Sequence, residues 1–206
     1  MPKQTGVHKT CSKKVFPEFV HTLQIIHAPG AVEFWAMDEH RIGLKPILRR
    51  TWSKRGQRPL VLVNHRYDWS YVYGFVQPRT GRSFYLLMPT VSIAALNAAL
   101  LEFATFCSAG TNKHIILLMD CAGWHTSRQL VLPLGIRPCF LPAYSPELQP
   151  AEHLWPLTNA PLANRCFSSL DELEAVQAER CNWLQDHPDL IRSATRFHWW
   201  PDSDLQ

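Results

Sequence analysis

The sequence predicts an α/β fold in which a mixed five-stranded sheet carries helices on both faces. Short apolar or alternating runs of strand length predict the sheet, and longer runs with apolar residues at helical spacing predict the helices. At 206 residues, 46% of them hydrophobic, the chain is long enough for one core of ordinary size. We predict a basic arm or linker remnant over 1–30, the sheet-containing domain over 31–185 and a tail over 186–206.

Two apolar runs end in an aspartate. Residues 32–37 are mostly apolar and stop at Asp38, and residues 114–119 stop at Asp120 in the same way. Both runs have the length and composition of central strands that deliver a carboxylate at their carboxyl end. We therefore expect the two aspartates to lie side by side at the same end of the sheet.

The other three strands are predicted from alternation and turn signals. Residues 69–76 and 83–88 flank a Pro/Gly turn over 77–81, which is typical of an antiparallel hairpin. A last strand spans 136–141 and stops at Pro142. Together with the two aspartate strands, these runs complete the five-stranded sheet.

Four helices are predicted around the sheet. Thr90 is positioned to cap the first, and Ser169 with Glu172 forms a capping box at the start of the last. The third begins at Pro146 and carries Glu152. The predicted spans are 90–107, 127–132, 146–155 and 170–184, with a further short helix over 17–27 in the N-terminal arm.

Basic residues are concentrated towards the N-terminus. Residues 1–66 hold 12 Lys and Arg against 4 Asp and Glu, whereas residues 67–206 hold 9 against 13. This asymmetry favours a polyanion contacting one side of the molecule, although a solvated surface would have the same composition. No apolar stretch reaches the length that crosses a bilayer, and the first residues lack a secretory signal. We therefore expect a cytoplasmic protein with no membrane partner.

Three carboxylates give the chain its candidate chemistry. Asp38 and Asp120 come from neighbouring strands, and Glu152 comes from a helix predicted to pack near them. Carboxylate oxygens are ligands that hold Mg²⁺ with positions left open for water and phosphate. Two such ions can activate a water or a 3′-hydroxyl and stabilise the leaving oxygen of a phosphodiester. We predict a metal-dependent site for phosphodiester chemistry.

A basic run without acidic residues follows the first carboxylate, with Trp52 inside it. Its position favours phosphate contacts, and a solvated loop is the ordinary alternative. Trp52 either stacks on a base or packs under the loop. His125 either contacts a phosphate or the attacking water, or shapes its loop through a hydrogen bond. The predicted DNA-binding set is Lys45, Arg49, Arg50, Lys54, Arg55, Arg58 and His125.

Several neighbours of these residues have more ordinary interpretations. Glu39 is expected on the opposite face of its strand from Asp38, in solvent or in a salt bridge. His153 is expected to project away from Glu152, which disfavours a role as a metal ligand. The aromatic residues expected to fill the core are Trp124, Tyr144 and Trp155, and those without an assigned role are Trp199 and Trp200.

Four motifs occur in order along the chain. They are Met-Asp-Glu-His-Arg-Ile-Gly-Leu at 37–44, Trp52 with Gly56 and Pro59, Met-Asp-Cys-Ala-Gly-Trp-His at 119–125, and Leu-Pro-Ala-Tyr-Ser-Pro-Glu-Leu-Gln-Pro-Ala-Glu-His-Leu-Trp at 141–155. Through these motifs the chain, over residues 34–173, resembles the catalytic domain of DDE transposases of the mariner superfamily, in its bacterial insertion-sequence branch.

This resemblance implies an RNase H-like fold for residues 31–185, with Asp38, Asp120 and Glu152 as catalytic residues and metal ligands. It implies two Mg²⁺ or Mn²⁺ ions, cutting of double-stranded DNA at transposon ends, and joining of the freed ends to a target. It further implies a homodimer on DNA in the bacterial cytoplasm, associated with the nucleoid when bound.

The chain also departs from the family pattern. Members carry helix-turn-helix units that recognise the transposon ends, and the first 30 residues are too short to supply them. Ala143 and Gln149 stand where proline and asparagine are common. We therefore expect a transposase catalytic domain without its own recognition domain. The alternatives are a repurposed fragment that binds DNA without catalysis and a structure-selective nuclease or ribonuclease on the same fold.

Overall fold

The computed structural model describes residues 32–142, residues 145–197 and Trp200. Within these ranges, no helix is long and apolar enough to span a membrane. The predicted N-terminal arm with its short helix lies outside the described residues. The same holds for Tyr144 and Trp199, so the core assignment of Tyr144 stays a prediction.

Five strands form one mixed sheet: β1 (Val32–Gly43), β2 (Trp69–Gln77), β3 (Arg82–Met88), β4 (His114–Met119) and β5 (Ile136–Phe140). Their order across the sheet is β3-β2-β1-β4-β5. The central strand β1 pairs with β2 in antiparallel and with β4 in parallel orientation. β3 extends the antiparallel side and β5 extends the parallel side. The predicted mixed five-stranded sheet is confirmed.

The described part of the chain has four α-helices beside the sheet: α1 (Ile93–Cys107), α2 (Trp155–Thr158), α3 (Leu170–Gln185) and α4 (Pro188–Thr195). Side chains of neighbouring strand residues point to opposite faces, so the sheet supports two separate cores. On the first face α1 packs on the sheet, and on the second α3 and α4 do so. The prediction of helices on both faces is confirmed.

The two cores follow the alternation of residues along β1. Trp35 and Phe75 belong to the core under α1, where the rings of Trp35 and Phe103 meet edge to face with centroids 5.1 Å apart. Phe34 and Val76, their neighbours in β1 and β2, belong to the opposite core with α3 and α4. Odd-numbered positions around 35–39 of β1 therefore face α1, and even-numbered positions face the other layer.

Strand β1 continues beyond Asp38, where the sequence predicts its end. Its antiparallel pairing with β2 extends to Gly43, whereas its parallel pairing with β4 stops at the pair of Ala36 with Leu118. The β2 ladder satisfies the backbone polar groups that β4 no longer reaches, so the strand has a reason to continue. Asp38 therefore lies inside β1, just past the last pair of the parallel ladder.

The predicted helix over 127–132 is absent; residues 128–129 form a turn and the rest of the span is irregular. The Val131 N–H donates to Asn97 Oδ1 of α1 at 2.8 Å, which takes this donor out of any local helix. Pro133 also disfavours the helical backbone region for Leu132, the residue before it. The chain therefore passes from β4 to β5 without a helix between them.

The predicted helix over 146–155 is broken into short pieces. Two 3-10 helices, Pro146–Leu148 and Pro150–Leu154, are followed by α2. Pro150, inside the predicted span, lacks the N–H that a continuous helix requires at that position, and Pro156 follows directly after the span. Glu152 is consequently carried by a 3-10 turn and not by a regular α-helix.

Capping differs between the two long helices. Ser92, and not Thr90, caps α1, because Ser92 Oγ accepts the Ala95 N–H at 3.1 Å. The predicted cap of α3 is present: Ser169 Oγ accepts the Glu172 N–H at 3.2 Å. Each cap satisfies a donor that the first turn of a helix leaves without a partner.

Residues after 185, which the sequence assigns to a tail, contribute to the packed domain. Ile191 of α4 is fully buried, and Trp200 is also buried in the same core. At the β2–β3 turn, Gly81 has a φ of 76°, and a Cβ there would lie only 1.9 Å from Pro188 O. This close approach shows that α4 packs directly against the hairpin.

Candidate active site

The three predicted acids come from three different elements and line one cavity of about 400 Å³. The parallel register of β1 and β4, continued by two residues beyond its last pair, sets Asp38 opposite Asp120. Glu152 reaches the same cavity from the 3-10 helix Pro150–Leu154. The predicted convergence of Asp38, Asp120 and Glu152 is therefore present in the structure.

Asp38 is the most buried of the three carboxyl groups. Its Oδ2 accepts a hydrogen bond from Trp155 Nε1 at 3.1 Å. Burial raises the pKa of Asp38 to about 7, while the Trp155 hydrogen bond acts in the opposite direction and the charge of Asp120 adds to the rise. The charged neighbours that act on Asp38 are acids, so its carboxylate lacks a cationic partner.

Trp155 is held in place from two sides. Its ring stacks on the His40 imidazole, with centroids 4.9 Å apart and an interplanar angle of 14°. Burial lowers the pKa of His40, and the neutral ring accepts the Asn159 Nδ2–H at 2.8 Å through Nε2. On the strand beside it, a Cβ on Gly74 would lie 2.7 Å from the end of the Trp155 ring. The contact therefore requires glycine at position 74.

Asp120 is joined to Glu39 through His125. His125 Nδ1 lies 2.5 Å from Asp120 Oδ1, and His125 Nε2 lies 3.0 Å from Glu39 Oε1. The His125 hydrogen bond lowers the pKa of Asp120. Burial works against a charged His125, but its hydrogen bonds to Asp120 and Glu39 outweigh burial and raise its pKa to about 9. The imidazole is therefore cationic between two carboxylates.

Glu152 is exposed at the rim of the cavity. Partial burial and the charge of Asp120 raise its pKa. The turn that carries it is tied to the central strand by Gln149, which is buried and whose Nε2 donates to Met37 O at 2.9 Å. Gln149 Oε1 also accepts the Ala151 N–H at 3.5 Å, next to Glu152. The substitution of Gln for the common Asn at 149 is compatible with this tie.

The donor set of the cavity suits a hard divalent cation. All three acids offer oxygen ligands, as Mg²⁺ and Mn²⁺ prefer, and the uncompensated charge around Asp38 favours a cation. In the described part of the chain, however, no group of three or more His, Cys, Asp or Glu side chains is arranged so that it could hold a metal ion. The chemistry of the residues fits such an ion, although their arrangement here does not enclose one.

The predicted DNA-binding residues fall into two groups. His125 is only 1% exposed and both ring nitrogens are bonded, so its loop-shaping interpretation is the one the geometry supports. Trp52 is fully exposed, which excludes packing under the loop. Arg49 donates through Nη2 to Pro156 O at 3.0 Å. The exposed basic side chains are Lys45, Arg49, Arg50, Lys54, Arg55 and Arg58.

Other expectations for the neighbouring residues are also resolved. Glu39 forms the salt bridge that the sequence left as one option, and its side chain is not in solvent. Trp155 is buried as predicted, whereas Trp124 is partly exposed and donates to Glu39 at 3.3 Å. The ring of His153 packs edge to face on Phe197, away from the cavity.

Sequence reasoning did not foresee the roles of Trp155, Glu39 and His40 around the acids. Trp155 follows Glu152 by three positions, which on a 3-10 turn brings it back to the same side. That spacing was the available signal for its contact with Asp38. The hydrogen bond between Glu39 and His125 has no signal in the local sequence, because Glu39 lies in β1 and His125 lies in the loop that follows β4.

Comparisons with known proteins agree with this fold. Residues 33–174 match the family described as DDE superfamily endonuclease. Over 132 residues the chain is 34% identical to the uncharacterized protein y4pE/y4sA of Sinorhizobium fredii (strain NBRC 101917 / NGR234), an alignment that covers 64% of this chain and 96% of that protein.

Solved structures of similar fold include the Mos1 transposase paired-end complex with left transposon end, at a TM-score of 0.52 and 17% identity, covering 96% of this chain and 68% of that chain. The Mos1 mariner paired end complex with Mn aligns at a TM-score of 0.54 and 17% identity, covering 96% and 67% of the two chains. These matches confirm the RNase H-like fold. The match over residues 33–174 shows that the chain belongs to the DDE superfamily endonuclease family, as the motifs indicate, whereas its place in the bacterial insertion-sequence branch stays a prediction.

Proposed function

We propose that this chain is a transposase-type nuclease that cuts phosphodiester bonds of double-stranded DNA and joins the freed ends to a target. Asp38, Asp120 and Glu152 are its catalytic residues and metal ligands. The observation that carries the proposal is the convergence of these acids, from two strands and a 3-10 turn, on one cavity. Membership of the DDE superfamily endonuclease family supports the reaction class.

The proposed cofactor is a pair of Mg²⁺ or Mn²⁺ ions. Solved structures of similar fold include Mos1 complexes named with Mn and with Mg, which supports the choice of metal. When bound, such ions polarise the phosphate and lower the pKa of the attacking water or hydroxyl. Asp38, Asp120 and Glu152 would hold them.

The remaining residues of the site orient these ligands. Trp155 holds one oxygen of Asp38, and His125 holds one oxygen of Asp120. Asp120 and Glu152 are both exposed, so these two acids are open to an arriving duplex, whereas Asp38 is only partly exposed. The hydrogen bonds from Trp155 and His125 preorganise two of the three acids, an arrangement that suits positioning a phosphate against fixed charges.

DNA would be held by the exposed basic segment after β1. Its six Lys and Arg side chains are spread over residues 45–58 without an acidic residue between them, and Trp52 stands fully exposed among them. Basic side chains gain affinity by replacing counterions on phosphates, and an exposed indole can stack on an unpaired base. Both contacts are independent of base sequence.

We also propose that the chain works as a homodimer on DNA. The connection between β1 and β2, which contains this segment, exposes large apolar side chains, which include Leu48, Leu60 and Leu62 at 66%, 96% and 80% of full exposure. Clustered exposed apolar side chains are typical of surfaces that another protein covers. Sedimentation or light scattering of the chain with and without duplex DNA would test this state.

The experiment that tests the proposed function is a nicking assay on supercoiled plasmid with Mg²⁺, with Mn²⁺ and with EDTA. Glu152→Gln should abolish metal-dependent nicking, because an amide is a poor ligand for a hard cation. Glu147→Gln makes the same change on an exposed neighbouring acid that does not line the cavity, and should leave nicking intact. Nicking that survives Glu152→Gln would contradict the assignment.

A second candidate is a repurposed domain that binds DNA without catalysis. The exposed basic segment favours it, because that segment would bind duplex DNA whether or not the acids hold metal. Binding measured by fluorescence anisotropy, alongside nicking, separates the two candidates. Salt-dependent binding with no nicking in either metal would favour this second function.

A further inference from the structure

We infer that Glu39 and His125 are a pair of positioning residues that orient the Asp120 carboxylate for metal binding. The inference rests on the proposed function and deepens it, because neither residue would bind the ion or touch the substrate. Its basis is a continuous chain of polar contacts that runs from Glu39 through His125 to Asp120.

Both ring nitrogens of His125 have a carboxylate oxygen as their neighbour. The distances are 2.5 Å from Nδ1 to Asp120 Oδ1 and 3.0 Å from Nε2 to Glu39 Oε1. A carboxylate can only accept, so each ring nitrogen donates and the ring has one orientation that satisfies both. The His125 side chain is 1% exposed and that of Glu39 is 5% exposed, so water does not compete for the bond between them, whereas the Asp120 side chain is 53% exposed.

Glu39 is the fixed end of this series of hydrogen bonds. It lies inside β1, where its backbone pairs with Tyr73 of β2. Trp124 Nε1 donates to the same Oε1 of Glu39 at 3.3 Å, which adds a second donor to that oxygen. Asp120, by contrast, follows the last residue of β4 and has no strand partner of its own in the described sheet. These hydrogen bonds therefore fix the side chain of Asp120, a loop residue, relative to the central strand.

The two carboxylate oxygens of Asp120 have different surroundings. Oδ1 accepts from His125 Nδ1 and from the Ala122 N–H at 3.0 Å. Oδ2 is then the oxygen that remains for a cation in the cavity shared with Asp38 and Glu152. Hydrogen bonds behind a metal-binding side chain commonly fix its orientation in this way, and their loss costs affinity for the ion.

The inference is tested by Mn²⁺ binding to the full chain without DNA, measured from the electron paramagnetic resonance signal of free Mn²⁺. Glu39→Gln keeps the size of the side chain but replaces the charged acceptor with a neutral amide, which holds the His125 ring less strongly, and His125→Phe keeps a ring but removes both donors. Each should weaken Mn²⁺ affinity about tenfold or more. Glu33→Gln is the matched control, because Glu33 lies on the same strand, pairs with Lys113 at 2.8 Å and is outside the cavity.

A double mutant separates positioning from a simple charge effect. If Glu39 acts through His125, Glu39→Gln should change Mn²⁺ affinity less than about twofold in the His125→Phe background. Nicking by Glu39→Gln should also recover at high Mn²⁺, whereas nicking by Asp120→Asn should not. Circular dichroism checks that each variant is folded. If His125→Phe is unfolded, the comparison of Mn²⁺ affinity between Glu39→Gln and Glu33→Gln tests the inference.

The outcomes are distinct. Wild-type affinity in Glu39→Gln, or an equal effect of Glu39→Gln in both backgrounds, overturns the positioning role and leaves the proposed function standing. A wild-type protein that binds no Mn²⁺ and nicks no DNA overturns the proposed function and this inference with it.

Discussion

Trp155 donates its indole N–H to Asp38 Oδ2 at 3.1 Å, and this bond links the start of α2 to the central strand of the sheet. The same ring stacks on His40, two residues further along that strand. A short segment broken by prolines is thus fixed against β1 by one side chain. Because Asp38 is only partly exposed, few other donors can reach the oxygen that Trp155 bonds.

Trp155→Phe should keep the stack on His40 and remove the donor to Asp38. We expect the free energy of unfolding to fall by about 1–3 kcal/mol, the usual cost of leaving a buried polar group unpaired. Metal-dependent nicking should fall as well, because the Asp38 carboxylate loses its orientation. Urea unfolding and the plasmid assay measure the two effects.

Trp183→Phe is the matched control, since the Trp183 ring also stacks on a histidine, His187, with centroids 3.7 Å apart, but is 41% exposed. It should change neither quantity appreciably. Equal losses in the two variants would mean that the indole N–H of Trp155 has no special role.

Gly74→Ala should disturb the same contact from the strand side. The added methyl group would meet the Trp155 ring at 2.7 Å and Leu154 at 3.2 Å, distances at which a neighbour must move. We expect a loss of about 1–3 kcal/mol in the free energy of unfolding, as for other overpacked cores, together with slower nicking. Gly110→Ala, where a Cβ would meet nothing within 4 Å, should be far better tolerated. Similar losses at both positions would contradict this prediction.

The strands could be predicted from sequence because each is a local apolar or alternating run. The span of β4 is the same in the prediction and in the structure, and β2 differs only by one residue at its end. The continuation of β1 past Asp38 could not be predicted, because it depends on pairing with β2 and not on composition. The failed helix over 127–132 likewise depends on a long-range bond, from Val131 to Asn97.

The candidate site divides in the same way. Asp38, Asp120 and Glu152 stand in recognisable motifs, so their convergence could be expected from sequence. The prolines that break the segment around Glu152 were also visible, and their effect on the helix was underestimated. The partners of the acids could not be predicted, because the bond from Trp155 to Asp38 spans 117 positions of sequence.

Asp38→Asn should stabilise the metal-free protein at neutral and alkaline pH. Burial raises the pKa of Asp38 to about 7 in the folded protein, from an ordinary value of 3.8. Between these values the folded protein binds a proton that the unfolded chain does not, so the free energy of unfolding falls as pH rises. Asparagine carries no charge and still offers an oxygen to Trp155.

Urea unfolding in EDTA should therefore show Asp38→Asn to be more stable than wild type by about 1–4 kcal/mol near pH 8, with the difference vanishing near pH 4. Asp186→Asn, at an exposed position, serves as the control. Added Mg²⁺ should stabilise the wild type and not Asp38→Asn, because only the wild type has a charged ligand at position 38. A difference between the two proteins that does not vary with pH would contradict the assigned cause.

Arg49 and Arg50 are neighbours in sequence but should behave differently. Arg49 Nη2 donates to Pro156 O at 3.0 Å, and the Arg49 backbone N–H and C=O bond the Asn164 side chain at 2.9 and 3.0 Å. Arg49 therefore fastens the basic segment to α2. Arg49→Ala should lower stability in urea unfolding, whereas Arg50→Ala should leave stability unchanged and weaken DNA binding. The reverse pattern would contradict the fastening role.

The rest of the basic segment should determine the salt dependence of DNA binding. Each side chain that neutralises a phosphate adds about 0.9 to the slope of log affinity against log salt, so alanine at Lys54, Arg55 and Arg58 together should reduce the slope by up to about 3. Fluorescence anisotropy with duplexes of unrelated sequence measures it. Arg137→Ala, an exposed change on β5, should leave the slope unaltered. A lost phosphate contact weakens binding to every sequence alike. A reduced slope with unchanged sequence preference in the triple variant would therefore identify this segment as the phosphate-binding surface. An unchanged slope would mean that DNA lies on another face.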